Sequence, residues 1–321
     1  MTLIRLCGAF AVAATLAVPA FAEITRPECV APANPGGGFD LTCRIAQTGL
    51  APQLGTAMEV SFMPGGIGAV AYSLFNTTRT DDASAIVAFS TGSLLNIVTG
   101  KYGEFDENDV RWVATAGADF GAVIVRADSP YQDLSALMAD FSADPASVVI
   151  GAGGSVGSQD WMKAALLLRG AGGDPRAMRY VAFDGGGDAI AALLGGSIGV
   201  YTGDMGEMTA HLEAGTMRVL ASMSPARLDG IFAEIPTAKE QGFDVEWTIM
   251  RGFYMGGDVS DEDYDAWVST FEAAYAAPEF ATVQAEKGLL PLNLAGDDLT
   301  AAISTNMDLL RTISTEAGLL N

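Results

Sequence analysis

Five times along this chain a short apolar run breaks at a cluster of small residues and resumes with apolar residues at helical spacing. The turns are Asn34-Pro35-Gly36-Gly37-Gly38, Pro64-Gly65-Gly66-Ile67-Gly68, Ser90-Thr91-Gly92-Ser93, Gly153-Gly154-Ser155-Val156-Gly157-Ser158 and Asp184-Gly185-Gly186-Gly187. Strand, glycine turn, helix is the repeating unit of an α/β protein with mostly parallel sheets. Each such turn also leaves the first N–H groups of its helix unpartnered at the positive end of the helix dipole. One turn alone needs glycine only for its backbone freedom. Five in one chain point to a shared anion site built from main chain.

The pattern runs in two blocks. Strands are expected at 28–33, 58–63, 85–89, 110–116 and 122–126, with a glycine turn at 117–121 between the last two. After Asp128-Ser129-Pro130 it starts afresh, with strands at 147–150, 178–183, 198–201 and 217–222 and a helix at 207–214. A Pro-punctuated stretch, a strand at 245–249 and C-terminal helices follow. One helix carries Tyr264, Trp267, Val268, Phe271 and Tyr275 on one face, another Leu299, Ile303, Met307, Leu310 and Ile313. The expected architecture is two lobes, 23–124 with 222–321 against 125–221. Two crossing segments would form a hinge, and the glycine turns of both lobes would face one cleft.

The first residues read as an export leader, with Arg5, an apolar run over 6–17 and Ala20-Phe21-Ala22 as a small-x-small cleavage signal. A leader of 1–22 gives a mature chain starting at Glu23 in the periplasm, with no direct membrane insertion, because the apolar run is too short to span a bilayer. The formal net charge of −22 opposes nucleic acid and anionic lipid. A small anion is still admissible where N–H dipoles hold it. Past the leader two cysteines remain, Cys29 and Cys43. In an exported chain the pair favours a disulfide tying the first strand to the first helix, two buried thiols being the other reading. One His, His211, and two Cys make a poor metal set, so no metal and no cofactor are expected.

No G-x-x-x-x-G-K-[ST] or G-x-G-x-x-G pattern is present, which argues against a nucleotide. Gly153-Gly154-Ser155-Val156-Gly157 matches the G-x-S-x-G elbow of hydrolases. A serine hydrolase using Ser155 and His211 is therefore the alternative, opposed by the placement of the single His inside an expected helix. Asp40 opens the first helix, where the dipole favours an acid. Asp204 ends a strand at the expected cleft, as ligand contact or as a helix cap. Arg251 follows a strand and has the fork geometry to hold a carboxylate. Phe39 is the aromatic best placed to line the cleft.

The stretches PECVAPANPGGGFDLTCR, MPGGIGAVAY, the turn over 147–159, VAFDGGGDAIAALLGG, EAGTMRVLASMSPAR and IPTAKEQGF together resemble the periplasmic receptors of tripartite tricarboxylate transporters, the Bug family. The resemblance spans nearly the whole mature chain in order, and its opening motif is similar to the tricarboxylate branch, both cysteines included. It implies a two-lobed type II periplasmic binding fold that closes on its ligand and no enzymatic activity. It also implies capture of a small carboxylate such as citrate for a permease of one large and one small subunit, with the receptor a monomer. The ligand contacts it implies are Asn34, Pro35, Gly36, Gly37, Gly38, Phe39 and Asp40, then Ser90, Thr91 and Ser93. In the second lobe they are Ser155, Gly157, Ser158 and Gln159, with Asp204, and the reading of the glycine turn adds Gly154. Arg251 joins them from the residue reading. Two places depart from the family pattern: Asp160-Trp161 stands where a His is frequent, and Met250-Arg251-Gly252 where an Ala-Pro pair is frequent.

Overall fold

The computed structural model describes residues 24–320, and the leader assigned to 1–22 lies outside them. The strands are β1 Glu28–Ala31, β2 Glu59–Phe62, β3 Ala85–Ser90, β4 Val110–Phe120, β5 Ala122–Arg126, β6 Val149–Gly153, β7 Arg179–Phe183, β8 Val200–Tyr201, β9 Met217–Ser222 and β10 Thr248–Gly256. The helices are α1 Gly38–Gly49, α2 Ala69–Thr77, α3 Thr91–Val98, α4 Leu134–Ala143, α5 Gln159–Gly170, α6 Gly186–Leu194, α7 Thr209–Glu213, α8 Asp261–Tyr275, α9 Pro278–Glu286 and α10 Gly296–Glu316. They form a two-lobed α/β fold with one five-stranded sheet per lobe, ordered β2-β1-β3-β10-β4 and β7-β6-β8-β5-β9.

The sheets are mixed, where largely parallel ones were expected. β1 pairs parallel with β2 and β3, and β6 with β7 and β8. The strand by which the chain enters each lobe from the other runs the other way: β10 is antiparallel to β3 and β4, and β5 to β8 and β9. The chain leaves each sheet along a strand that runs with the strand-turn-helix units, β4 or β9, and arrives in the other along one that runs against them.

Two further expectations need correction. The stretch 117–121 is not a turn, since β4 runs straight through to Phe120. Gly117, at φ +145°, instead sits at a bulge where the register against β10 slips between Arg251 and Gly252. The strand expected at 245–249 is β10, which begins later and is far longer. Its inner residues are buried on both faces between β3 and β4, so it lacks the alternation that marks a half-exposed strand.

Cys29 and Cys43 form the disulfide, with Cα atoms 5.6 Å apart, and so bind β1 to α1 across the first glycine turn. The crossing segments meet at Gly121, which accepts from Met223 N–H at 2.7 Å and donates to Trp247 O at 2.9 Å. Phe89, Trp112 and Tyr254 pack edge to face in the first sheet, with ring centroids 4.8 and 5.8 Å apart. Such aromatic pairs add roughly 0.5–1.5 kcal/mol each beyond their buried area. The cleft walls are thus fixed to rigid sheets.

Candidate functional site

The cavity lies between the lobes and opens from the ends of four helices. Gly37, Gly38 and Phe39 of α1 and Ser90 and Gly92 of α3 come from one side, Ser158, Gln159 and Asp160 of α5 and Gly185 and Gly186 of α6 from the other. The space open to the centre of a water molecule is about 50 Å³. The lobes touch around it, so the structure is the closed form. Asn34 Nδ2 donates to Asp188 Oδ2 at 2.9 Å, and Lys101 Nζ to Val156 O at 3.1 Å. The two glycine turns abut: a Cβ on Gly187 would stand 2.1 Å from Pro35 O, and one on Gly37 would stand 2.8 Å from Gly187 N.

The four helix ends are not equivalent. At α3, Ser90 Oγ accepts from Gly92 N–H, and Ser93 Oγ from Ser90 N–H, a capping box that fills the end. At α5, Ser158 Oγ accepts from Trp161 N–H. The caps of α1 and α6 are Gly37 and Gly185, which have no side chain to give. The N–H groups of Gly38, Phe39, Gly186 and Gly187 make no hydrogen bond among the described residues. Glu207 Oε1 already leans over the start of α6, 2.4 Å from where a Gly186 side chain would begin. The first acid of α1, Asp40, turns outward to accept from Gly36 N–H and Arg44. The end of α1 is therefore the one open helix end at the cleft, a seat whose free N–H groups could hold an anion.

Beneath the seat lies a buried network of ions. Arg251 is 1% exposed and donates from Nε and Nη2 to Asp119 Oδ2 at 2.9 and 2.7 Å, and from Nη2 to Asp204 Oδ2 at 2.6 Å. Lys163, 0% exposed, donates to Asp204 Oδ1 at 2.6 Å, Asp160 Oδ1 at 2.8 Å and Gly203 O at 2.7 Å. Asp119 Oδ1 accepts from Phe120 and Gly206 N–H, and Asp160 Oδ2 accepts from Gly153 N–H. Glu207 Oε2 accepts from Tyr201 Oη at 2.6 Å and Asp204 N–H at 3.2 Å.

Burial works to raise the Asp204 carboxyl, but Lys163 and Arg251 overcome it and hold it below the usual range. Burial works to lower Lys163, and the Asp160 and Asp204 carboxylates push it up to about 12. Glu207 has no cation in contact. Burial first, then the Asp204 charge, carry it up to about 8.

Of the residues picked out in the sequence, Gly37, Gly38, Phe39, Ser90, Ser158, Gln159, Asp204 and Arg251 line this cavity. Asp204 and Arg251 meet as an ion pair across the cleft, so neither stands free as a lone ligand group. Thr91 accepts from Met250 N–H, and Ser93 is spent on its cap. Asn34, Pro35 and Gly36 belong to the turn behind the seat, Asp40 faces an outer groove, and Gly154 and Ser155 line a neighbouring groove with Lys101. Gly157 packs against Leu319 and Lys101. His211 hydrogen-bonds Thr216. The sequence reading missed Asn96, Asp160 and Glu207, which also line the cavity, and Lys163 and Asp119 behind it. In the sequence Asp160 stands out only as a departure from the family pattern. Lys163 sits mid-helix among apolar residues, Met162-Lys163-Ala164-Ala165-Leu166-Leu167, and that is the one signal available for it.

The tripartite tricarboxylate transporter family receptor model matches residues 42–319. The chain belongs to this family. A receptor of this family is a solute-binding protein and not an enzyme, which removes the hydrolase reading of Ser155 and His211. It is similar to the protein BugT of Bordetella pertussis, with 26% identity over 250 residues, 75% of this chain and 74% of that one. Among solved structures it is similar to MatC from Rhodopseudomonas palustris with bound malate, at a TM-score of 0.76 and 17% identity over 89% of this chain and 98% of that one. A second R. palustris structure, with adipate, has a TM-score of 0.81 at 18% identity and covers 91% of this chain and 97% of that one. At these identities the solved structures share the fold. No helix among the described residues is long and apolar enough to cross a membrane.

Proposed function

We propose that this receptor captures a small carboxylate in the periplasm and hands it, in the closed form, to a membrane permease of one large and one small subunit. The observation that carries the reading is the uncapped end of α1, with the unbonded Gly38 and Phe39 N–H groups in the lining of a closed cavity and the Arg251 guanidinium against Gly38. Backbone donors at a helix end suit a carboxylate without any exposed lysine. The structural neighbours with malate and adipate supply the chemical class. Closure brings 23–124 with 222–321 against 125–221 about Gly121, and the ligand favours the closed form through contacts that only the joined lobes make. Citrate is the most highly charged candidate, and the tricarboxylate branch resemblance is its support.

The test is thermal unfolding of the protein with malate, adipate and citrate. A ligand at about 100 times its Kd adds roughly 2.7 kcal/mol of stability. A raised melting temperature with any of the three supports the reading. A flat response to all of them, and to every other mono- and dicarboxylate of similar size, sinks it.

A further inference from the structure

We infer that Ile67 sets how long a solute this receptor holds, by walling the inner cavity off from a larger groove outside it. The inference rests on the carboxylate reading above and adds to it a residue that decides between solutes. Ile67 lies in the second glycine turn, just before α2, with φ +50°. That is the left-handed region, where a β-branched residue is an outlier. Gly66 before it, at φ +60°, and Gly68 after it, at φ +93°, take the same sign without strain. A glycine at 67 would do so too, so the turn itself does not ask for an isoleucine. The surroundings hold the strained residue in place. Tyr102 Oη donates to Ile67 O at 2.7 Å and Asn96 Nδ2 at 3.4 Å, and these two residues are 5% and 3% exposed.

The Ile67 side chain borders two hollows. The inner cavity has about 50 Å³ of space open to the centre of a water molecule, and the groove beside it, which Lys101, Ser155 and Asp184 help to line, has about 780 Å³. Ile67 and Asn96 line both. From the other lobe Gly154 meets Ile67: a Cβ on Gly154 would stand 3.5 Å from Ile67 Cγ1. The wall is thus an aliphatic side chain of the first lobe facing bare backbone of the second, and it forms only where the lobes meet. Taking the side chain away joins the two hollows.

The groove offers a second seat to a chain that passes this wall. Lys101 Nζ donates to Val156 O at 3.1 Å and pairs with no carboxylate among the described residues. Asp184 and Asp188 also line the groove, and Asp188 accepts from Asn34 Nδ2. Lys101 is the one cation in that lining among the described residues. A diacid with one carboxylate at the end of α1 would bring the other toward Lys101 once Ile67 no longer stands between. In the wild type the wall stops such a chain, because extra methylenes forced into filled space cost more than they gain.

Calorimetric titration with two straight-chain series tests this, diacids from succinate to suberate and monoacids from butyrate to octanoate, each against the wild type, Ile67→Gly and Ile67→Asn. Asn tolerates the left-handed region and still fills the wall, so it separates relief of strain from opening of the wall. Wild-type affinity should drop beyond one chain length. Ile67→Gly should carry binding past it, raising the affinity of the first excluded member relative to the last accepted one about tenfold or more, while Ile67→Asn keeps the wild-type limit. Ile67→Ala should move the limit in the same direction as Ile67→Gly, and it stands in should the glycine variant not fold. Lys101→Met added to Ile67→Gly should remove the gain for diacids and leave it for monoacids. A wild type without a length limit, an unchanged limit in the truncated variants, or an equal shift in Ile67→Asn overturns the inference and leaves the carboxylate reading standing. A diacid gain that survives Lys101→Met overturns the second seat alone. Silence from both series in every protein overturns the carboxylate reading and this inference with it.

Discussion

Replacing Arg251 with Met is the sharpest perturbation of this cleft. The side chain is 1% exposed and gives three charge-assisted hydrogen bonds, two to Asp119 and one to Asp204. Met keeps much of the volume and removes the charge. Asp119, 0% exposed, then keeps only the Phe120 and Gly206 N–H groups. Breaking a buried pair from one side costs about 3–5 kcal/mol, because the remaining charge stays buried and uncompensated. Unfolding entropy near 2.1 cal/mol/K per residue gives a chain of this length roughly 0.6–0.7 kcal/mol/K, so the melting temperature should fall by about 5–8 °C. Thermal unfolding followed by circular dichroism reads the shift. Adding Asp119→Asn removes the orphaned charge and keeps an acceptor for both N–H groups, and should recover about 2 kcal/mol. A fall of under about 1 kcal/mol for Arg251→Met would place the pair in the class of solvated surface ions. The cleft would then be wet and open in solution, and the argument from its closed charge network would fail.

Gly187→Ala acts on closure alone. Gly187 lies in the first turn of α6, where Ala is a better helix former, so the helix itself does not suffer from the substitution. Its Cβ nevertheless has to enter the space of Pro35 O, which stands 2.1 Å away in the closed form. The rise in melting temperature with a bound carboxylate should therefore be lost, and an unaltered ligand response would show that the turns need not meet. Serine at both Cys29 and Cys43 removes a cross-link of sequence separation 14. The chain-entropy model assigns such a loop about 3 kcal/mol, hence a melting temperature lower by about 5 °C, read by calorimetry against the oxidised protein. Equal melting of the two would mean that the cross-link does not constrain the unfolded chain.

Strands that feed glycine turns were legible because the turn punctuates them. Ala85-Ile86-Val87-Ala88-Phe89 reads as a buried strand and is one, and the helices after Gly38, Ser90, Ser158 and Gly185 begin where the turns place them. The crossing strands were harder. β4 passes through Gly117 and Asp119, which local preference assigns to a turn, and pairing with nine residues of β10 overrides it. The helix expected at 207–214 begins instead as a single 3-10 turn, because Asp204 and Glu207 cap each other there, and α7 starts only at Thr209. The cavity's main chain was legible, its ions were not. Lys163 finds Asp204 at 41 residues' separation and Arg251 finds Asp119 at 132, and no local pattern carries such pairings.

The excess of acid over base along the chain also governs how a ligand reaches the cleft. With a net charge of −22 the molecule repels anions over about a Debye length, roughly 8–10 Å at physiological salt, while the α1 end attracts them only at contact. A trianion must climb that field before it meets the seat, so its capture should be slow in dilute buffer and quicken as salt is added. A zwitterion has no net charge for the field to act on. It would arrive at nearly the same rate at any ionic strength, so the receptor's own far field sorts solutes by net charge before the cavity touches one.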